Sequence, residues 1–119
     1  MDTPLRLLLV EDEPFVALDL QMLLTDVGHE VVGVAEDTAE ALSLADSEHP
    51  EAALVDVKLR DGPTGPDIGR ALLDRGVRVV FVTGNPEMLP ADLKTSQPVV
   101  DKPFSLKRIE DALERVRAA

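Results

Sequence analysis

Short apolar runs recur along the chain, and stretches with apolar residues three or four apart fill the intervals between them. The runs cover residues 5–10, 30–34, 52–55, 77–82 and 99–100. Most are short and continuous, which suits strands buried on both faces of a parallel sheet. The first helical stretch opens at Pro14 and closes at Gly28, an asymmetry that helices favour, with Val16, Leu20, Leu23, Leu24 and Val27 at helical spacing. The second opens on Asp37-Thr38-Ala39-Glu40, an acidic capping box, and runs to Glu48 before Pro50, with Ala41, Leu42, Leu44 and Ala45 inward. The third starts near Pro66 and closes at Gly76, with Ile68, Leu72 and Leu73 inward. A fourth lies between Asn85 and Lys94, interrupted by Pro86 and Pro90. The last starts at Ser105 and turns Leu106, Ile109, Leu113 and Val116 inward.

This is a strand–helix unit repeated five times. Strands joined by helices of this length run parallel with right-handed crossovers. The predicted fold class is therefore α/β: an open, doubly wound, five-stranded parallel sheet, too small for an eight-stranded barrel. A length of 119 residues fits one domain, 1–119. No linker, repeat or low-complexity tract divides it, and with the last helix at the chain end no output domain is expected.

Composition narrows the function. Acidic residues number 23 against 12 basic ones, a formal net charge of −11. That argues against a nucleic-acid partner, which needs clustered Lys and Arg, and against an anionic membrane surface. The longest apolar runs, 7–10 and 79–82, are too short to span a bilayer, and Met1-Asp2-Thr3-Pro4 is not the basic start of a signal peptide, so a cytoplasmic protein is expected. The absence of cysteine excludes thiol chemistry and thiolate metal sites. His29 and His49 read as surface turn residues, and Asp61, Asp67 and Asp101 as solvated loop or cap residues. Phe15, Phe81 and Phe104 read as packing anchors.

In an open parallel sheet, ligands bind beyond the carboxyl ends of the strands, where strand order reverses. The first strand ends in Glu11-Asp12, the third in Asp56, the fourth in Thr83-Gly84 and the fifth in Asp101-Lys102-Pro103. Carboxylates this close repel, and a hard divalent cation resolves the conflict; oxygen donors without His or Cys favour Mg²⁺. A carboxylate can attack phosphorus to give an acyl phosphate. Mg²⁺, the Lys102 ammonium and the Thr83 hydroxyl could then each take one phosphoryl oxygen, and Gly84 would leave the approach to Asp56 open.

Glu11-Asp12, Asp56, Thr83 and Lys102-Pro103 together resemble the receiver-domain motif of two-component response regulators, and the resemblance covers the chain from first strand to last helix. It implies a flavodoxin-like fold with strand order 2-1-3-4-5. It implies Asp56 as phosphoacceptor from a histidine kinase or phosphotransfer protein. Asp12 and Asp56 would ligate Mg²⁺, with Glu11 contributing through water and the Lys58 backbone carbonyl as a further ligand. Thr83 and Lys102 would contact the phosphoryl group, Lys58 and Asn85 would flank the attack route, and the Lys102–Pro103 bond is expected to be cis.

Two departures from that pattern matter. Receivers usually carry Tyr or Phe three residues before the lysine; here Val99 stands there, and the chain has no Tyr, so the usual Thr/Tyr coupling cannot operate. The segment from Thr83 to Lys102 is also short for the family, so helix four is expected to be truncated or irregular. Phe81-Val82-Thr83-Gly84, followed by Pro86, is similar to a subfamily of single-domain receivers with a Phe-Ala-Thr-Gly-type motif, whose members are associated with stress-response phosphorelays. The expectation is a stand-alone receiver, not an enzyme, acting by phosphorylation-dependent protein contacts across helix 4, strand 5 and helix 5, with Phe104 near that surface, or by phosphorelay, passing phosphoryl onward or draining it from a shared kinase. Two alternatives stay open: an aspartate-nucleophile phosphatase of the haloacid-dehalogenase type, and a receiver-like module that binds its target regardless of phosphorylation.

Overall fold

A computed structural model describes residues 3–118. Five strands and five helices alternate: β1 (Arg6–Val10), α1 (Pro14–Asp26), β2 (Glu30–Ala35), α2 (Thr38–Glu48), β3 (Ala52–Val55), α3 (Gly65–Asp74), β4 (Arg78–Thr83), α4 (Ala91–Ser96), β5 (Val99–Asp101) and α5 (Leu106–Ala118). The strands form one parallel sheet in the order β2-β1-β3-β4-β5. The sequence thus reads correctly as doubly wound α/β, and the order matches the receiver resemblance.

The continuous apolar runs follow from burial on both sheet faces. Leu8, Val10, Val55 and Phe81 face Ala41, Ile68, Leu72 and Leu93 of α2, α3 and α4. Leu7, Leu9, Leu54 and Val82 face Leu20 and Leu24 of α1 and Ile109 and Leu113 of α5. Successive strand residues point to opposite faces, so the buried stretches 7–10, 52–55 and 79–82 of the three inner strands are apolar at every position. Close packing fixes one glycine: a Cβ on Gly69 of α3 would stand 2.6 Å from Phe81 Cζ.

The chain runs from β1 to β2 on one side and returns to place β3 on the other. The switch point lies between β1 and β3, and their carboxyl ends carry Glu11-Asp12 and Asp56. The capping box forms in a shifted version: Asp37 accepts from the Glu40 N–H at 2.9 Å, while the Glu40 carboxylate accepts from the Glu36 N–H at 2.8 Å. The fourth helix is truncated as expected: a 3₁₀ turn over Pro86–Met88 precedes six helical residues. The Lys102–Pro103 bond is cis.

Several positions differ from the sequence reading. α1 buries Ala17, Leu20 and Leu24, while Val16 is only half-buried and Val27 is exposed. Phe15 is not a packing anchor: it is 87% exposed, on the helix face opposite the core, with exposed Leu18 and Met22. His29 is not a surface residue. It is buried because both ring nitrogens are bonded: Nδ1 accepts the Leu5 N–H at 3.0 Å, so Nε2 carries the proton and faces Glu110 Oε1 of α5 at 3.3 Å. His49 is exposed and ends α2 in the left-handed region. Among the described residues, no helix is long and apolar enough to cross a membrane.

Candidate functional site

The strand ends converge because the sheet is parallel and in register. The Asp56 N–H donates to Val10 O at 2.9 Å, and the Lys102 N–H donates to Thr83 O at 3.0 Å, which ties the end of β1 to β3 and that of β4 to β5. Glu11, Asp12 and Asp56 each offer a carboxylate oxygen within 4.8 Å of the others. Lys102 reaches in from the β5 end and donates from Nζ to Asp56 Oδ2 and Glu11 Oε1, both at 2.7 Å. The other oxygens of Asp56 and Glu11 are held too: Val57 N–H donates to Asp56 Oδ1 at 2.7 Å, and Glu13 N–H to Glu11 Oε2 at 3.1 Å.

Electrostatics explain the arrangement. Glu11 is buried, and burial raises its pKa; the charge on Asp56 pushes the same way, while bonds from Lys102 and the Glu13 N–H hold it back. Burial alone would lower the Lys102 pKa, but the Asp56 and Glu11 carboxylates outweigh it and raise it, so the ammonium stays charged. Three carboxylates against one ammonium leave the pocket negative. A set of hard oxygen donors with no His or Cys suits a hard divalent cation.

A cavity of about 380 Å³ opens over these groups, with Asp12, Lys58, Gly84 and Asn85 in its walls. Thr83 is fully buried at the end of β4, and its Oγ1 accepts the Asn85 N–H at 3.0 Å. A Cβ on Gly84 would meet nothing closer than Lys102 Cβ at 4.0 Å, so that wall is open. Behind the pocket, Gly65 presses on the Asp56–Val57 backbone. A Cβ there would overlap the Asp56 carbonyl oxygen and stand 2.5 Å from Val57 Cα.

The structure therefore gathers Glu11, Asp12, Asp56 and Lys102 into one cluster, sets Lys58 in the cavity wall and Thr83 at the adjoining strand end. Sequence reasoning missed the Glu11–Lys102 ion pair, because its partners are 91 residues apart. It also missed an adjoining groove of about 480 Å³, in which Phe15, Val16 and Asp19 of α1 face Lys102, Pro103 and Phe104. The misfit of Phe15 with the apolar period of α1 was the available signal. Asp61, Asp67 and Asp101 are all exposed as read, and Asp61 in addition accepts bonds from Thr38 and Thr64.

Fold and rim define a doubly wound domain with an acidic, lysine-closed pocket at its topological switch point. The chain belongs to the response regulator receiver domain family, which it matches over residues 7–114. It is similar to the phyllosphere-induced regulator PhyR of Methylorubrum extorquens, 38% identical over 106 residues that cover 87% of this chain and 40% of PhyR. Among solved structures it resembles the receiver domain of PhyR from Erythrobacter litoralis, at 29% identity and TM-score 0.87 over 96% of this chain and 90% of that one. It also resembles SdrG from Sphingomonas melonis Fr1, at 30% identity and TM-score 0.84 over 98% and 99% of the two chains. This chain spans less than half the length of the curated PhyR it matches. Receivers are signalling modules of two-component systems. Membership sets aside the haloacid-dehalogenase-type reading, as does the position of Asp56 after the third strand and not the first.

Proposed function

We propose that Asp56 accepts a phosphoryl group from a phosphohistidine on a histidine kinase or phosphotransfer protein in the cytoplasm, and that the receiver then changes which protein its surface binds. The observation that carries this reading is the Lys102 ammonium, 2.7 Å from both Asp56 and Glu11 in a three-carboxylate cluster. Mg²⁺ fits that donor set: Asp12, Asp56 and the Lys58 backbone carbonyl would hold it, with Glu11 acting through water, and when bound it supplies positive charge to phosphoryl oxygens. An Asp56 oxygen forms the new O–P bond while the N–P bond of the phosphohistidine breaks, its electron pair staying on the imidazole. Lys102 can pass an N–H from Asp56 Oδ2 to an arriving phosphoryl oxygen. The Thr83 hydroxyl accepts the Asn85 N–H, which leaves its own proton to donate.

A protein donor must cover the rim to bring its histidine to Asp56. The apolar face of α1 (Phe15, Leu18 and Met22) and the groove that shares its Lys102 wall with the acidic pocket suit such docking. Phosphorylation adds about −1.5 to −2 charges, which draws Thr83 and the loop after β4 inward. With Val99 in place of an aromatic, movement of that loop and of the short α4 carries the change to the α4–β5–α5 surface. A protein output is in keeping with PhyR from Bartonella quintana, a relative whose structure was solved in complex with the anti-sigma factor NepR.

The test is transfer of labelled phosphate from a phosphohistidine donor. Wild type takes up label in the presence of Mg²⁺ and Asp56→Asn does not; equal uptake by the variant would overturn the assignment. Target binding that is the same with and without a phosphoryl mimic would favour the phosphorylation-independent module.

A further inference from the structure

The loop that follows Asp56 is fastened at the place where loops are usually free. Residues 59–62 close a tight turn, with Leu59 N–H donating to Gly62 O at 2.9 Å and Gly62 N–H returning to Leu59 O at 3.0 Å. Arg60 and Asp61 form its tip, and exposed tips of this kind concentrate disorder. Here both side chains reach across to the start of α2. Arg60 Nη1 donates to Glu36 Oε2 at 3.0 Å, and Nη2 lies 2.6 Å from Asp37 Oδ2 and 3.2 Å from Glu40 Oε2. The Arg60 N–H donates to Glu36 O at 3.1 Å. Asp61 Oδ2 accepts the Thr38 N–H at 3.1 Å and the Thr38 hydroxyl at 2.7 Å, while Oδ1 accepts the Thr64 hydroxyl at 2.6 Å. The bonds from Thr64 and Thr38 hold the Asp61 carboxyl at a pKa of about 2, so the tie stays charged at any physiological pH.

Between this anchored tip and Asp56 lies Lys58. Its other side is fixed as well, by the Val57 N–H on Asp56 Oδ1 and by the Gly65 N–H, which donates to Val57 O at 3.0 Å. We infer that Arg60 and Asp61 are positioning residues: by fastening the β3–α3 turn to the start of α2, they hold the backbone around Lys58 ready for the divalent cation before it arrives. The inference rests on the cation-binding reading given above.

Charge sign separates positioning from simple electrostatics. Arg60→Gln removes a positive charge, and long-range electrostatics alone would tighten Mg²⁺ binding. Loss of positioning weakens it, by about tenfold if the brace acts like other supports of metal ligands. Arg70→Gln is the matched control, since Arg70 makes an equally exposed two-pronged tie to Asp92, between α3 and α4. The measurements are Mg²⁺ titration followed by amide NMR shifts, and amide hydrogen exchange at residues 57–62 in metal-free protein, with melting temperature as the check on folding. The expected result is weaker Mg²⁺ binding and faster exchange in Arg60→Gln, with exchange unchanged and Mg²⁺ binding no weaker than wild type in Arg70→Gln. Unchanged or tighter Mg²⁺ binding in Arg60→Gln, or equal exchange, would overturn the inference. Failure of wild type itself to bind Mg²⁺ would instead strike the reading on which it rests.

Discussion

Two of the loops that wall the pocket, β3–α3 and β4–α4, are built differently. The β3–α3 loop carries Asp56, the proposed acceptor, and Lys58, which are followed by a turn tied to α2 through Arg60 and Asp61, and Gly65 packs against the Asp56–Val57 backbone. The β4–α4 loop carries Thr83, and its local ties are few: the Asn85 N–H to Thr83 Oγ1, a 3.5 Å contact from Asn85 to Glu87, and one 3₁₀ turn. It leads into a helix of only six residues. A switch needs both kinds of wall. On the proposed function, Asp56 must already be in place when the phosphoryl group arrives, and something else must be free to close on it. Elements that move are drawn from regions with few buried contacts, and none of residues 84–88 is buried, although Leu89 and Leu93 beyond them anchor in the core.

The largest expected effect falls on the fixed wall. In Gly65→Ala the new methyl cannot be accommodated without shifting the Asp56–Val57 backbone. Overpacking of this kind costs about 1–3 kcal/mol, and the upper end is expected here because the obstacle is backbone. Urea unfolding reads the loss, and Mg²⁺ binding should fall with it. A variant as stable as wild type that still bound Mg²⁺ normally would mean that this wall is not rigid.

Next comes the lysine that spans both walls. Lys102→Met leaves Glu11 and Asp56 without their counter-charge. Breaking a fully buried pair costs about 3–5 kcal/mol, and the partial exposure of Lys102 places this loss lower, at about 2 kcal/mol. The pH dependence has a definite sign. The Lys102 pKa is raised in the folded state from an ordinary 10.5. Its contribution is therefore complete below pH 10.5 and is lost as pH rises through the folded value. In metal-free buffer, the stability gap between wild type and Lys102→Met should stay level through neutral pH and close above 10.5. Melting curves between pH 7 and 11 check this, and a gap that closed near neutrality would contradict the ion-pair account.

The smallest effect belongs to the open wall. Gly84 has ordinary backbone geometry and empty space where a Cβ would go. Gly84→Ala should leave stability within about 0.5 kcal/mol of wild type while crowding the approach to Asp56 and slowing phosphoryl uptake. Large destabilisation by this substitution would erase the contrast between the two walls.

Those features of the molecule that depend on local pattern were legible in the sequence. Continuous apolar runs marked strands buried on both faces, Pro86 and Pro90 marked the broken fourth helix, and acidic strand ends marked the pocket rim. What stayed hidden depends on partners far along the chain. His29 is buried because Leu5 and Glu110 satisfy its ring, the latter 81 residues away. Asp61 reads as a loop carboxylate until folding brings Thr38 to it. Phe15 was assigned to the core by residue type, although its place on α1 puts it opposite Leu20 and Leu24. Side-chain chemistry alone does not reveal such pairings, since they arise only when the helices are set on the sheet.

On the proposed function, one pocket takes a cation and a phosphoryl group on Asp56, with one wall fixed and the other free to close. The most direct test is titration of the protein with Mg²⁺ and then beryllofluoride, followed residue by residue by amide NMR. Mg²⁺ should shift the amides around Asp12, Asp56 and Lys58, and beryllofluoride should then move Thr83 through α4 and β5 while amides 59–62 at the braced turn stay nearly still. Beryllofluoride shifts that ignore Mg²⁺, or that are largest at the braced turn and absent beyond Thr83, would contradict the account.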